Sequence, residues 1–135
     1  MRTAAGEPLM GLAKSFLVVD DSATMRMLII MTLRQMGCQS VIDAPNGRVA
    51  LEKLATSPVD VVITDVDMPE MNGLEFIRHA RQRYANLPIL ILSAHGDDAT
   101  RVAGMRLGAN GYLTKPLSSA KLIEMLEQIF PDLEM

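Results

Sequence analysis

Val59-Asp60-Val61-Val62-Ile63-Thr64 is a nearly all-apolar run that stops at Asp65-Val66-Asp67-Met68-Pro69. A short apolar run bounded by turn residues reads as a strand buried on both faces, as in a parallel sheet. The same arrangement recurs on either side of it. Phe16-Leu17-Val18-Val19 stops at Asp20-Asp21, Ile89–Leu92 runs into Ser93, and Gly111–Thr114 is followed by Lys115-Pro116. Ser40–Asp43 reads as one further short strand.

Between these runs the apolar period becomes that of a helix. Ser22 offers an N-cap to a segment with Met25, Leu28, Ile29, Thr32, Leu33 and Met36 at helical spacing, closed by Gly37. Asn46 can cap a second helix carrying Val49, Ala50, Leu51, Leu54 and Ala55. A loop with Pro69, Asn72 and Gly73 leads into a third helix over about Leu74–Tyr84. Gly96 and Asp97 open a fourth, through Val102, Ala103 and Leu107 to Gly108. Ser118 or Ser119 opens the last, which runs through Ile129 with Pro131 beyond it. Strand then helix, five times over with short connections, predicts a doubly wound three-layer α/β domain, its parallel sheet covered on both faces.

Composition agrees with one such domain. The 135 residues are 49% hydrophobic and 21% charged, a globular balance with enough chain for a core of its own. Residues 15–131 read as the domain, residues 1–14 as an N-terminal tail and 132–135 as a short C-terminal one. A single cysteine, Cys38, cannot form an internal disulfide. The net charge of -3 gives no reason to expect nucleic acid as a partner. No apolar stretch approaches the roughly 20 residues a bilayer requires. The expectation is a cytoplasmic protein with no membrane association.

Ligands of such sheets bind outside the carboxyl ends of the strands. Those ends carry Asp20, Asp21, Asp65, Asp67, Ser93 and Lys115. Several carboxylates on one rim repel one another, and a hard divalent cation relieves them; magnesium takes oxygen ligands and leaves positions open for a phosphoryl oxygen. No His or Cys cluster accompanies them, which argues against zinc. Lys115 brings a fixed positive charge and Ser93 a hydroxyl. Carboxylates, metal, lysine and hydroxyl together describe a phosphoryl-transfer site, and an aspartate can itself be the nucleophile.

These segments resemble the receiver domain of response regulators. The likeness is carried by Leu17-Val18-Val19-Asp20-Asp21, Ile63-Thr64-Asp65-Val66-Asp67-Met68-Pro69, Asn72-Gly73-Leu74-Glu75, Leu92-Ser93-Ala94 and Gly108–Pro116, and covers about Lys14 to Phe130. Asp20-Asp21-Ser22-Ala23-Thr24-Met25-Arg26 is especially similar to the chemotaxis members. The resemblance implies the flavodoxin-like strand order 2-1-3-4-5 and a phosphoryl group taken by Asp65 from a phosphohistidine. The donor would be a sensor histidine kinase or a histidine phosphotransfer protein. It implies Mg2+ held by Asp21 directly, Asp20 through water, Asp65, and the Asp67 backbone carbonyl. Lys115 would pair with Asp65 and then with the phosphoryl group, and its bond to Pro116 would be cis. Ser93 and Tyr112 would be the switch pair, reshaping the face of helix four, strand five and helix five for a downstream protein.

Three positions vary in that family. Ser93 keeps the hydroxyl of the common threonine without its methyl, Asp67 stands where many chemotaxis regulators have asparagine, and His95 occupies the other variable position near the phosphoryl group. Asp67 and His95 are candidates for tuning dephosphorylation. The chain ends soon after the fifth helix, which sets the expectation of a stand-alone receiver. A monomer is expected, with a dimer as the alternative because of the apolar outer face of the first helix. The receiver would be a signalling switch that catalyses only its own phosphorylation and dephosphorylation.

Each feature also has a plainer reading. Asp-Asp pairs are commonly solvated turns, a serine after a strand is a common helix cap, and Tyr112 can simply be packed. What weighs against that is their arrival at different strand ends. A magnesium-dependent phosphatase of the haloacid dehalogenase type also uses Asp-x-Asp after an apolar strand, but places its further acidic pair late in the chain. A flavin-binding electron carrier would need a Ser/Thr/Gly-rich loop where Asp20-Asp21 stands. A phosphate-independent adaptor on a receiver fold is the remaining alternative. His79, beside Arg78, Arg81 and Arg83, reads as solvated, and Cys38 as a small buried hydrophobe. Met27, Ile30 and Met31 lie opposite the expected core stripe of the first helix. They mark either an interface or a face covered by the tail or a neighbouring helix.

Overall fold

The computed structural model describes residues 13–94 and 96–131. His95, most of the expected N-terminal tail (residues 1–12) and all of the expected C-terminal tail (residues 132–135) lie outside the described residues. The elements follow in the order β1 (Phe16–Val19), α1 (Ala23–Gln35), β2 (Val41–Ala44), α2 (Gly47–Thr56), β3 (Val61–Thr64), α3 (Gly73–Arg83), β4 (Ile89–Ser93), α4 (Asp98–Leu107), β5 (Gly111–Thr114) and α5 (Ser119–Ile129). All strand pairs are parallel and the sheet order is β2-β1-β3-β4-β5. This is the doubly wound order expected of the chain.

Alternation along each strand divides the core in two. Phe16, Val18, Val61, Ile63, Leu90 and Leu92 point to one side, where they meet Ile29, Leu33 and Met36 of α1 and Leu122 and Leu126 of α5. Leu17, Val19, Val62, Ile89 and Ile91 point to the other, against Ala50 and Leu54 of α2 and Phe76, Ile77 and Ala80 of α3. α4 joins the second side at Gly104, where an added Cβ would stand 2.2 Å from the Cδ1 of Ile91.

The helix starts follow local chemistry. Ser22, Asn46, Asn72, Asp97 and Ser118 each accept a backbone N–H from the first turn of the helix they precede. Asn72 and Glu75 form a reciprocal capping box on α3. α4 ends on Gly108 in the left-handed region, φ 113°, which favours glycine.

Two positions of α1 differ from the helical-period reading. Leu28, assigned to the core stripe, is 52% exposed. Ile30, assigned to the outer side, is half-buried against the α1/α5-side core. The buried line runs through Ile29, Leu33 and Met36, and Leu28 and Ile30 flank it on its two sides. Neighbouring elements decide which flank is covered. Met27 (63%) and Met31 (50%) are exposed as expected. Arg81 also departs from the solvated-face reading. Its Nε and Nη2 donate to the Gly108 carbonyl, and Nη2 and Nη1 reach Asn110 Oδ1 and the Tyr84 carbonyl, tying α3 to the α4–β5 turn. Cys38 is buried, and burial pushes its thiol pKa up. Lys14 stands over the Phe130 ring at 4.3 Å.

Candidate functional site

Strand pairing brings β1 and β3 side by side in register, Val19 opposite Thr64. The residues that follow, Asp20 and Asp65, therefore emerge together on the same rim, and Asp65 donates its backbone N–H to the Val19 carbonyl at 2.8 Å. Carboxylate oxygens of Asp20, Asp21 and Asp65 lie within 4.8 Å of one another. Asp20 and Asp65 are buried and Asp21 is exposed.

Lys115 enters from the far side of the sheet. β5 pairs with β4, and the Lys115 N–H donates to the Ser93 carbonyl at 2.8 Å. From there its ammonium reaches Asp20 Oδ2 at 2.8 Å and Asp65 Oδ2 at 3.1 Å. The Lys115–Pro116 peptide bond is cis. Ser93, fully buried, ends β4 on the same rim. Asp67 is exposed, two residues beyond Asp65. Tyr112 is half-buried, opposite Ile91 in the sheet and packed against the second core. His95 lies outside the described residues.

Hydrogen bonds hold the two buried carboxylates in place. Asp65 Oδ1 accepts the Val66 N–H at 2.7 Å. Asp20 uses every polar group it has. Its N–H donates to the Ala44 carbonyl, Oδ1 accepts the Ser22 N–H, Oδ2 accepts Lys115, and its carbonyl accepts Nη1 of Arg26 at 2.7 Å.

Burial pushes the Asp65 carboxyl above its usual range, against the pull of the Lys115 and Val66 hydrogen bonds, and the charge of Asp20 adds to the rise. For Lys115 burial alone would favour the neutral amine, but the hydrogen bonds to Asp20 and Asp65 together outweigh it and raise the pKa. One ammonium shared between two carboxylates is stabilised by both, whereas Asp65 gains only part of that charge while bearing its own desolvation.

The donor set fits a hard divalent cation. Three carboxylates face one ammonium, an excess of two negative charges, and all the side-chain donors in the cluster are oxygens. Asp20, Asp21 and Asp65 are the residues that could hold magnesium.

Two residues near the site carry roles that residue-type reasoning did not assign. Gly73 opens α3 so close to the end of β3 that a Cβ there would stand 2.0 Å from the Asp65 carbonyl oxygen. Arg26 bridges the Asp20 carbonyl and the Asp43 carboxylate, the latter at 2.8 Å from its Nε. Its position held a readable signal: a cation in the first helical turn opposes the helix dipole and calls for a local anionic partner.

Residues 16–127 match the family model described as response regulator receiver domain. The chain is 40% identical over 116 residues to the chemotaxis protein CheY1 of Helicobacter pylori, covering 84% of this chain and 94% of that one. It has the same 40% identity over 116 residues to a CheY homolog of Campylobacter jejuni, covering 84% and 89%. The solved structure of chemotaxis protein CheY4 of Vibrio cholerae superimposes with a TM-score of 0.80 at 35% identity, covering 87% of this chain and 99% of that one. The chain therefore belongs to the response regulator receiver family, as a CheY-like receiver domain.

Proposed function

We propose that Asp65 accepts a phosphoryl group from the phosphohistidine of a histidine kinase or phosphotransfer protein, in a chemotaxis-like phosphorelay. The observation that carries this reading is the Lys115 ammonium, which crosses from beyond β5 to join Asp20 and Asp65 beside Asp21. A carboxylate oxygen of Asp65 attacks phosphorus, the phosphorus–nitrogen bond breaks, and the imidazole leaves with the electron pair. Hydrolysis by water later releases phosphate and restores the carboxylate. Magnesium, when bound, neutralises charge on the transferring group and the acidic cluster. Asp20, Asp21, Asp65 and the Asp67 carbonyl would hold it.

Lys115 exchanges its bond to Asp65 for one to a phosphoryl oxygen, and the Ser93 hydroxyl donates to another. Tyr112 follows Ser93, and the face formed by α4, β5 and α5 changes shape for a downstream protein. The exposed Val102 and Met105 of α4 support an apolar contact there, as does a shallow groove of about 220 Å³ beside Tyr112, Lys121 and Met125. Asp67 and His95 tune the lifetime of the phosphorylated state. This is a two-state switch biased by one charged group, in keeping with receivers as signalling switches and with the chemotaxis names of the relatives.

Intact-protein mass after incubation with acetyl phosphate, with and without Mg2+, tests the reading. One Mg2+-dependent phosphoryl adduct, missing from Asp65→Asn, is the expected result. If no adduct forms with acetyl phosphate or with a phosphorylated histidine kinase, the chain is a phosphate-independent adaptor.

A further inference from the structure

We infer that Arg26 is a positioning residue for the metal-binding carboxylates, acting through the main chain of Asp20 and anchored by Asp43. The inference rests on the proposed magnesium-dependent reading of the site.

α1 has no acidic residue in its first turn, and Arg26 puts a positive charge at that end of the helix. The helix dipole disfavours a cation there, so helix stability does not explain the arginine. Its side chain is only 17% exposed, which carries a desolvation cost as well. Its hydrogen bonds account for the placement. Nη1 donates to the Asp20 carbonyl at 2.7 Å and Nε to Asp43 Oδ2 at 2.8 Å, so the planar group spans β1 and β2 at their carboxyl ends. The far side of that brace is itself tied down, because Lys53 Nζ donates to the Asp43 carbonyl from α2.

The Asp20 carbonyl belongs to the peptide unit that leads into Asp21. Fixing that unit sets the direction in which Asp21 leaves the strand, and with it the spacing of the acidic pair. Among the described residues, Arg26 hydrogen-bonds to the backbone of one cluster member and to Asp43 on the neighbouring strand, not to the carboxylates of Asp20, Asp21 or Asp65.

Charge and position make opposite predictions, which permits a clean test. Arg26→Met removes a positive charge from the neighbourhood of a cation site, so electrostatics alone would tighten Mg2+ binding. Loss of positioning weakens it, by about tenfold on the scale of outer-shell substitutions. Mg2+ affinity is read by titrating the full chain and following the amide signal of Val66. A thermal melt without metal is run on each variant.

The expected result is Mg2+ binding about tenfold weaker in Arg26→Met, with a smaller weakening in Asp43→Ala, which removes the side-chain acceptor that anchors Arg26. Unchanged or tighter binding in a folded Arg26→Met would overturn the inference. Arg26→Lys keeps the charge without the planar fork; wild-type affinity in that variant assigns the role to charge and also overturns it. Should Arg26→Met fail to melt cooperatively, Arg26→Lys decides the matter: weaker binding supports the inference and wild-type affinity overturns it. A wild-type chain that binds no Mg2+ refutes the underlying reading instead, and is recognised because every variant then behaves alike.

Discussion

The two ends of the sheet are built from the same chain on opposite terms. At the amino ends of the strands stand Phe16, Val61 and Ile89, fully buried and apolar. Among the described residues, every buried polar or charged side chain lies at or just beyond a carboxyl end: Asp20 after β1, Asn46 after β2, Thr64 and Asp65 at β3, and Ser93 at β4. The cost of burying polar groups is concentrated on one rim and kept out of both apolar clusters. None of those buried polar atoms lacks a hydrogen bond among the described residues. One end supplies stability, and the other draws on it to hold charge in place.

Removing a buried ring at one end and a buried charge at the other should therefore differ in sign as well as size. Phe16→Ala, at the apolar end, should destabilise by about 3–5 kcal/mol in denaturant unfolding, since it removes a fully buried ring from the α1/α5 side. Gly73→Ala comes next. Its Cβ would collide with the Asp65 carbonyl, and main chain cannot move aside cheaply, so a loss of about 3 kcal/mol is expected. Because the displaced atoms belong to Asp65, Mg2+ affinity should fall alongside stability.

Asp65→Asn should move the other way and raise metal-free stability by about 1 kcal/mol at neutral pH. The sign follows from the raised carboxyl pKa. The folded protein holds the proton more tightly than the unfolded chain, so the carboxylate is a burden above the folded pKa, and the burden is lifted as pH falls through it. The difference between wild type and Asp65→Asn should then shrink on acidification. A variant less stable than wild type at pH 7 would break the contrast between the two ends. The smallest effect belongs to the exposed Arg48–Glu52 pair on α2, at positions i and i+4. Arg48→Ala should cost about 0.3 kcal/mol, and less in high salt.

The strand ends were legible because each apolar run stops at a residue that a core cannot accept without a partner. Phe16–Val19 stopping at Asp20-Asp21 and Val61–Thr64 stopping at Asp65 are signals that local pattern alone can carry. The helix caps were legible for the same reason, since an N-cap bond reaches only three residues along the chain. The brace of Arg26 on Asp20 and Asp43, and the seat of Gly73 against Asp65, were not. Both depend on strands that meet only after the sheet has formed.

The amino-acid sequence by itself determined the order of the elements, the division of each strand between two faces, and which chemical groups stand at the carboxyl ends. These are properties of period and residue type, and they act within a few residues. Only the tertiary structure decided that Lys115 reaches Asp20 as well as its expected partner Asp65, that Ile30 rather than Leu28 is covered on α1, and that Arg81 fastens α3 to the α4–β5 turn. Each of these joins groups far apart in the chain or chooses between two equivalent flanks of a helix. A local pattern is symmetric in such choices, and the packing of neighbouring elements breaks the symmetry.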